Sequence, residues 1–245
     1  GPIIEGNINP KSIKLFWNEV SKFAVDKKII SQFIAVHPLL LNEMKVDTIY
    51  DHKIYLKDTI MIDTSSKNTI LENMDSKTRN MVRKAQRLGV KITFDNSELN
   101  LTDMYNIYRH TMDARNANSF YYFSKNYFKY LSNHLGKNIL FGYAHYEKKI
   151  IGAAVFFFNE KYMHYHLSGM YSEYKFTAAT SLMIFEASLK AYEIGINILH
   201  LGGGNEAEDG LFFFKKRFNK KGRKPYYISS KIFEKSIYEK LLDMR

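Results

Sequence analysis

The pattern in residues 138–201 limits most strongly how this chain can fold, because three strand-like runs are followed by a long helical pattern and a further strand. A short polar turn, Glu147-Lys148-Lys149, separates the first two runs and predicts an antiparallel pair. The strand–helix–strand passage that follows predicts a parallel crossover. The predicted strands are 138–146, 150–159, 161–168 and 197–201, with the helix at 177–194. The sequence therefore predicts an α/β fold with a mixed sheet.

The remainder of the chain also alternates helices and strands. Asn9 followed by Pro10 predicts the start of a first helix, because Asn caps helix N-termini and Pro suits the first turn. Residues 47–64 are interpreted as a hairpin around Asp51-His52, with residues 59–62 in its second arm. The other predicted helices are two between 67 and 88, then 101–114, 124–135, 209–217 and one at the end of the chain, and the other predicted strands are 29–36, 90–94 and 225–230.

Composition restricts the function classes. The chain has 245 residues, of which 45% are hydrophobic, so wholesale disorder is excluded. It has no cysteine, which excludes disulfides, thiolate nucleophiles and Cys-ligated zinc. The longest apolar run, Ile150 to Phe158, is too short to span a membrane. We expect a cytoplasmic globular protein without a tightly bound cofactor or a metal.

The formal net charge of +11 favours a polyanionic partner, such as CoA phosphates, a nucleotide, RNA or an anionic membrane surface. The alternative is that the charge reflects only a lysine-rich composition. No helix-turn-helix, RNA-recognition or zinc-finger pattern is present, so DNA is not an expected partner. tRNA and peripheral contact with a membrane are both compatible with the charge.

Four segments resemble the FemABX-like branch of the GNAT acyltransferases, which includes the peptidoglycan-bridge aminoacyltransferases. Each segment is short, but the four occur in the family's order over most of the chain. They are Ser31-Gln32-Phe33-Ile34 with His37-Pro38-Leu39-Leu40; Lys77-Thr78-Arg79-Asn80 with Arg83-Lys84-Ala85 and Gly89-Val90; Arg115 with Tyr121-Tyr122-Phe123-Ser124; and Ala191, Gly195 and Gly202-Gly203 with Leu211 through Phe214-Lys215 to Phe218.

The resemblance implies two related GNAT-like half-domains, an incomplete one in residues 1–95 and a complete one in residues 96–245. It also favours a start inside a longer native protein at Gly1-Pro2, with a cleavage scar as the alternative. The implied activity is transfer of an acyl or aminoacyl group to an amine of a cell-wall or surface-polysaccharide precursor. The alternative is a non-catalytic GNAT-like module that docks a glycan precursor or a partner protein.

The resemblance leaves the donor open. The chain has no room for the long coiled-coil hairpin found in some tRNA-dependent relatives, which favours a thioester of the CoA type. It also lacks the glycine-containing pyrophosphate loop of ordinary CoA-dependent members before the helix at 177–194. Acyl-CoA and aminoacyl-tRNA therefore both remain candidate donor substrates.

The resemblance places the catalytic centre at the pair Phe214-Lys215, with the lysine meeting the negative charge that develops during acyl transfer. The alternative is that Lys215 belongs to a solvated helix end, because Lys216 and Arg217 follow it directly. Glu206, Glu208 and Asp209 follow the glycines after a strand. An acid there, Glu206 first, could accept the amine proton, although helix capping explains Glu208 and Asp209 equally well.

Five further residues are candidate substrate contacts. Arg79 and Arg83 share one helix face and could clamp a phosphate, or could simply be solvated. Arg115 could bind a carboxylate or phosphate, or cap a helix. The segment after it contributes Tyr122, and the strand at 161–168 contributes Tyr165.

Two histidines on that same strand require a separate interpretation. His164 and His166 alternate with Tyr165, so we predict that both share one face with Tyr162 and Ser168, opposite Tyr165. A metal site is the less favoured interpretation, because no carboxylate is suitably paired with them.

Overall fold

A computed structural model describes residues 9–40 and 50–244. The start at Gly1-Pro2 and most of the first arm of the predicted hairpin fall outside these ranges. The chain forms two compact units, one from the described parts of Gly1–Thr59 and Lys224–Arg245 and the other from Ile60–Arg223. These boundaries differ from the predicted division near residue 95, and the relationship between two half-domains stays a prediction.

The described residues form eight α-helices and eight β-strands, in close agreement with the predicted order. The helices are α1 (Pro10–Asp26), α2 (Lys67–Asn73), α3 (Ser76–Arg87), α4 (Leu101–Ala114), α5 (Lys125–Leu135), α6 (Ala179–Glu193), α7 (Gly210–Lys216) and α8 (Lys235–Asp243). The strands are β1 (Ser31–Ala35), β2 (His52–Asp63), β3 (Lys91–Asp95), β4 (Ile139–Tyr146), β5 (Lys149–Phe158), β6 (Tyr162–Met170), β7 (Ile198–Gly202) and β8 (Arg223–Ile232). All eight strands belong to one mixed sheet, ordered β1-β8-β2-β7-β6-β5-β4-β3.

In the first unit, α1 begins as predicted, because the Asn9 side chain accepts a hydrogen bond from the Ser12 N–H at 2.8 Å. The buried face of this helix presents Trp17, which clusters with Ile34 and Val36. Strand β1 pairs with β8 in an antiparallel register. This small cluster is the hydrophobic core of the unit.

The second unit contains the predicted meander and crossover. Strands β3, β4, β5 and β6 pair successively in antiparallel registers, and β6 pairs with β7 in parallel. The predicted turn between β4 and β5 has positive φ angles of 48° at Glu147 and 65° at Lys148. Two successive residues with positive φ angles form a tight hairpin turn, and the twist of this turn matches the twist of the two strands.

Two hydrophobic clusters cover the opposite faces of this sheet. One includes residues of α2, α3, α6 and α7, and the other includes residues of α4 and α5. Helix α4 lies so close to β6 that a Cβ at Gly169 would come within 2.7 Å of the Ile107 carbonyl oxygen. The sheet is therefore buried on both faces. None of the helices in the described ranges is both long and apolar enough to cross a bilayer.

Candidate active site

The candidate site begins where the parallel strands β6 and β7 separate. Their paired register runs from Tyr162 opposite Ile198 to His164 opposite His200. Beyond that last pair β6 continues to Met170 and β7 to Gly202. The carboxyl ends of neighbouring parallel strands frame a crevice, which is where α/β proteins commonly bind ligands.

Strand β6 contains a bulge at this position. Tyr165 is opposite Phe156 on β5, but the next pair joins Leu167 to Val155, so His166 is an extra residue. The bulge moves Ser168 to the same face as Tyr165, and the Tyr165 hydroxyl donates a short hydrogen bond to Ser168 Oγ. The predicted strict alternation, with Ser168 opposite Tyr165, is therefore wrong.

Lys215 is buried, with an exposed fraction of 8%. It lies in the last turn of α7, and its ammonium donates to the carbonyl oxygen of Gly203 at 2.7 Å. The same Nζ atom lies 6.0 Å from the centre of the Tyr165 ring. The alternative of a solvated helix end is wrong for Lys215, because the short helix turns this side chain back toward the end of β7.

The loop between β7 and α7 is organised by Asp209. Its carboxylate accepts hydrogen bonds from the N–H groups of Asn205 and Phe212, each at 2.7 Å, and from that of Glu206 at 3.2 Å. Burial opposes ionisation, but these backbone donors prevail and hold the pKa of Asp209 below its usual value. A Cβ on Gly204 would overlap the same carboxylate. Asp209 is thus the N-cap of α7.

The other two acidic residues of this loop, Glu206 and Glu208, have different surroundings. Glu208 forms a short ion pair with Arg223. Glu206 is exposed, and its backbone rather than its carboxylate contacts Asp209. Its predicted role as proton acceptor stays a prediction.

Tyr165 and Arg115 are two of the predicted substrate contacts, and of these Tyr165 lies at the separating strands. Tyr165 is 9% exposed, and burial raises the pKa of its hydroxyl, while the Ser168 hydrogen bond and the positive charge of Arg115 act in the opposite direction. Arg115 itself is exposed at the C-terminal end of α4. Lys215 and Tyr165 therefore lie near one another, and the positive charge of Arg115 reaches the Tyr165 hydroxyl.

Other predicted residues lie in different surroundings. Phe214 packs edge-to-face on Phe218, with ring centres 5.5 Å apart, and so anchors α7. Tyr122 lies beneath Arg109, whose guanidinium carbon is 4.6 Å from the ring centre. Desolvation and the Asp113 carboxylate raise the pKa of Tyr122.

The two arginines of α3 differ in their contacts. Arg79 Nη1 donates to the carbonyl oxygens of Leu71, at 3.2 Å, and Met74, so it caps the end of α2. Arg83 is exposed and lines an open depression of about 620 Å³ with Asn80, Gln86 and Arg87. Of the two arginines predicted to clamp a phosphate, Arg79 and Arg83, only Arg83 lines this depression.

The histidines of β6 lie against other polar side chains. His164 Nδ1 lies 2.9 Å from Nδ1 of His200. His166 Nε2 lies 2.8 Å from the Tyr127 hydroxyl, and burial lowers its pKa to about 4.

Sequence reasoning missed two participants, the Gly203 carbonyl and Ser168. A backbone carbonyl carries no sequence signal. Ser168 was assigned to the wrong face because a bulge in a strand of this composition leaves no glycine or proline to mark it.

A protein-family model described as an acetyltransferase (GNAT) domain matches residues 73–216, more than half of the chain. The chain is similar to the crystal structure of FemX, with a TM-score of 0.75 and 12% identity over 94% of this chain and 79% of that one. A search of the curated proteins gives no match.

Two further solved structures share the fold. For L-PGS from Bacillus licheniformis the TM-score is 0.64 with 13% identity, covering 91% of this chain and 74% of that one. For the C-terminal domain of a putative lysylphosphatidylglycerol synthetase from Agrobacterium fabrum the TM-score is 0.66 with 14% identity, covering 88% and 73%. At these identities the likeness concerns the fold.

Proposed function

Because the chain belongs to the acetyltransferase (GNAT) domain family, we propose that it is an acyltransferase acting on an amine. The proposed acceptor is a cell-wall or surface-polysaccharide precursor, and the donor is a thioester of the CoA type or an aminoacyl-tRNA. A similar structure is named a putative lysylphosphatidylglycerol synthetase. The transferred group in this proposal is therefore either a simple acyl group or an aminoacyl group.

The buried ammonium of Lys215 is the observation that carries this proposal. When an amine attacks a carbonyl carbon, negative charge develops on the carbonyl oxygen, and a fixed positive group nearby lowers the barrier. Lys215 is 8% exposed and is held by the Gly203 carbonyl. A charge in such a poorly solvated place acts more strongly than one in water.

The neighbouring residues have supporting roles in this proposal. Tyr165, hydrogen-bonded to Ser168, forms the wall opposite Lys215. Arg115 would bind an anionic group of a substrate, and Arg83 would bind donor phosphates at the exposed face of α3. Glu206 would accept the amine proton, directly or through water, at the exposed loop.

The proposal is tested by incubating the protein with acetyl-CoA and amino-sugar acceptors and, separately, with charged tRNA and a lipid-linked muropeptide. Transfer with either donor supports the proposal and identifies the donor class. Absence of transfer with both contradicts it. Thermal stabilisation by CoA, UDP-sugars or tRNA without any transfer would then indicate a non-catalytic binding module, because a bound ligand raises the melting temperature by mass action.

A further inference from the structure

Helix α1 has an apolar face that its own unit covers only in part. Trp17 is buried against β1, and Ile13 and Val20 pack partly buried around the same cluster. The apolar face continues beyond them to Phe16 and Phe23, which are 57% and 58% exposed. Phe16 follows Ile13 by three positions and Phe23 follows Val20 by three, so each ring is a neighbour of a covered residue on the helix surface. The apolar face of α1 is therefore wider than the core beneath it.

Lysines surround the exposed part of this helix. Residues 11–28 contain five lysines, two acidic residues and no arginine. Lys27 stands over the Phe23 ring, with its Nζ atom 5.9 Å from the ring centre. One of the acidic residues, Glu19, is paired with Lys22 at 2.7 Å. The exposed rings of Phe16 and Phe23 and the lysines of residues 11–28, here called the α1 surface, thus combine apolar area with an excess of positive charge.

The charge of the α1 surface distinguishes its possible occupants. In a dimer with two-fold symmetry the same surface would face itself, and the lysines of the two copies would repel one another. Nucleic-acid recognition favours arginine, which pairs with phosphate in a two-pronged geometry and stacks on bases, and this segment has none. A bilayer with anionic lipids uses both features, since its phosphates attract lysines and its acyl-chain boundary accepts phenylalanine.

We infer that the α1 surface docks the protein on a bilayer that contains anionic phospholipid. Phe16 and Phe23 enter the boundary between headgroups and acyl chains, and the lysines remain at the level of the phosphates. This inference goes beyond the proposed function and does not depend on it, because it concerns where the protein is held and not what it transfers.

The test is binding to vesicles of phosphatidylcholine alone and of phosphatidylcholine mixed with phosphatidylglycerol. The mixed vesicles should bind the protein at least about tenfold more tightly, because each lysine near an anionic surface contributes about fivefold. High salt should weaken this binding by screening the charges. Trp17 is the only tryptophan of the chain, and its ring centre lies 5.7 Å from that of Phe16. Lipids with brominated acyl chains, which quench tryptophan at short range, should therefore quench its fluorescence.

Variants then locate the binding. Phe16→Gln and Phe23→Gln should each weaken it about three- to tenfold, because less apolar area enters the bilayer. Lys27→Gln should weaken it about fivefold. Tyr130→Gln is the matched aromatic control, because Tyr130 is a 59% exposed ring on a helix of the other unit, and Lys137→Gln is the control for an exposed lysine of that unit. Both controls should bind the vesicles like the unmodified protein. Unfolding curves should be nearly the same for all five variants, since the altered side chains are exposed.

Several outcomes would overturn the docking surface. Absence of binding, equal binding to both vesicle compositions, or unquenched Trp17 fluorescence would each do so. Equal losses in Lys27→Gln and Lys137→Gln would mean that the net charge of the whole chain drives binding. Tighter binding to an RNA duplex, weakened by Phe23→Gln, would assign the surface to RNA, and a dimer dissociated by Phe23→Gln would assign it to a second copy. Transfer assays without vesicles test the proposed function separately, so either proposal can fail alone.

Discussion

The Lys215 ammonium donates to the Gly203 carbonyl oxygen at 2.7 Å, which joins the last turn of α7 to the first residues after β7. This hydrogen bond fixes the position of the charge in the free protein. A charge that does not have to reorganise during the reaction stabilises a developing oxyanion most effectively. The pairing therefore links the fold of the loop to the proposed chemistry.

Substitution of Lys215 by Met should remove the charge and keep most of the side-chain volume. We expect turnover to fall about a hundred- to a thousandfold, as for the loss of one oxyanion donor. Lys216→Met is the control and should be nearly silent, because Lys216 projects from a different side of α7. Equal losses in both variants would mean that the basic run only attracts phosphates.

The free energy of unfolding should also change in Lys215→Met. This side chain is only 8% exposed, so its substitution is not that of a surface lysine. Removal of the donor leaves the Gly203 carbonyl without that hydrogen bond, at a cost of about 1–3 kcal/mol. Denaturant unfolding of both variants, with activity assayed where both are folded, separates this cost from the loss of turnover.

Arg79 and Arg83 should differ in what their removal affects. Arg79→Ala deprives the Leu71 and Met74 carbonyl oxygens of their donor, so we expect a loss of about 1–3 kcal/mol in stability. Arg83→Ala should leave stability within about 0.5 kcal/mol, as is usual for exposed positions, and raise the KM of the donor. Donor KM and unfolding curves for both variants provide the measurement. An unchanged donor KM in Arg83→Ala would remove that residue from the proposed site.

Two glycines of the sheet offer a matched test of packing. In Gly169→Ala the new Cβ would lie 2.7 Å from the Ile107 carbonyl oxygen of α4, so we expect destabilisation by about 1–3 kcal/mol. In Gly152→Ala its nearest neighbour would be the Gly169 carbonyl oxygen at 3.4 Å, an ordinary contact, and the change should be small. Chemical unfolding should rank the two variants in this order. The reverse order would mean that α4 packs less closely on β6.

His166 should make the native state sensitive to acid. Its pKa is about 4 in the native state, whereas in the unfolded chain it should be near the ordinary value of 6.5. Between these values the unfolded chain binds more protons, so stability falls as the pH drops from about 6.5 to about 4 and then levels off. The full contribution is about 3 kcal/mol.

The measurement compares the unmodified protein with His166→Gln, in which an amide oxygen can still accept from Tyr127. Between pH 7 and pH 4 the unmodified protein should lose about 3 kcal/mol more than the variant. Identical pH profiles for the two proteins would show that His166 is protonated normally in the folded state.

Much of the fold could be predicted because its signals are local. Helix α4 lies at the predicted positions, 101–114, since a helical apolar period marks it. The turn at Glu147 and Lys148 separates two strongly β-forming runs, and the parallel pairing of β6 with β7 follows from the helix between them. These features depend on residues close together in the sequence.

The site was less predictable because its contacts join distant residues. Whether Lys215 is solvated or buried depends on how α7 returns to the end of β7. Arg79 was a candidate for a phosphate clamp or for a solvated surface position, but its guanidinium donates to the carbonyl oxygens of Leu71 and Met74 at the end of α2. Polar side chains have several possible partners, and tertiary packing selects among them.

The extra residue at His166 has a consequence for the tolerance of β6 to changes in length. Deleting it would leave Tyr165 opposite Phe156 and Leu167 opposite Val155, so the residues that follow would keep their faces, whereas one further residue inserted after it would exchange the faces of every residue that follows. With such an insertion Ser168 would turn away from the Tyr165 hydroxyl, and Gly169 would no longer stand against α4, where only a hydrogen fits. Insertions after His166 should therefore be excluded from this strand, whereas loss of the bulge residue itself should preserve the facing of the strand.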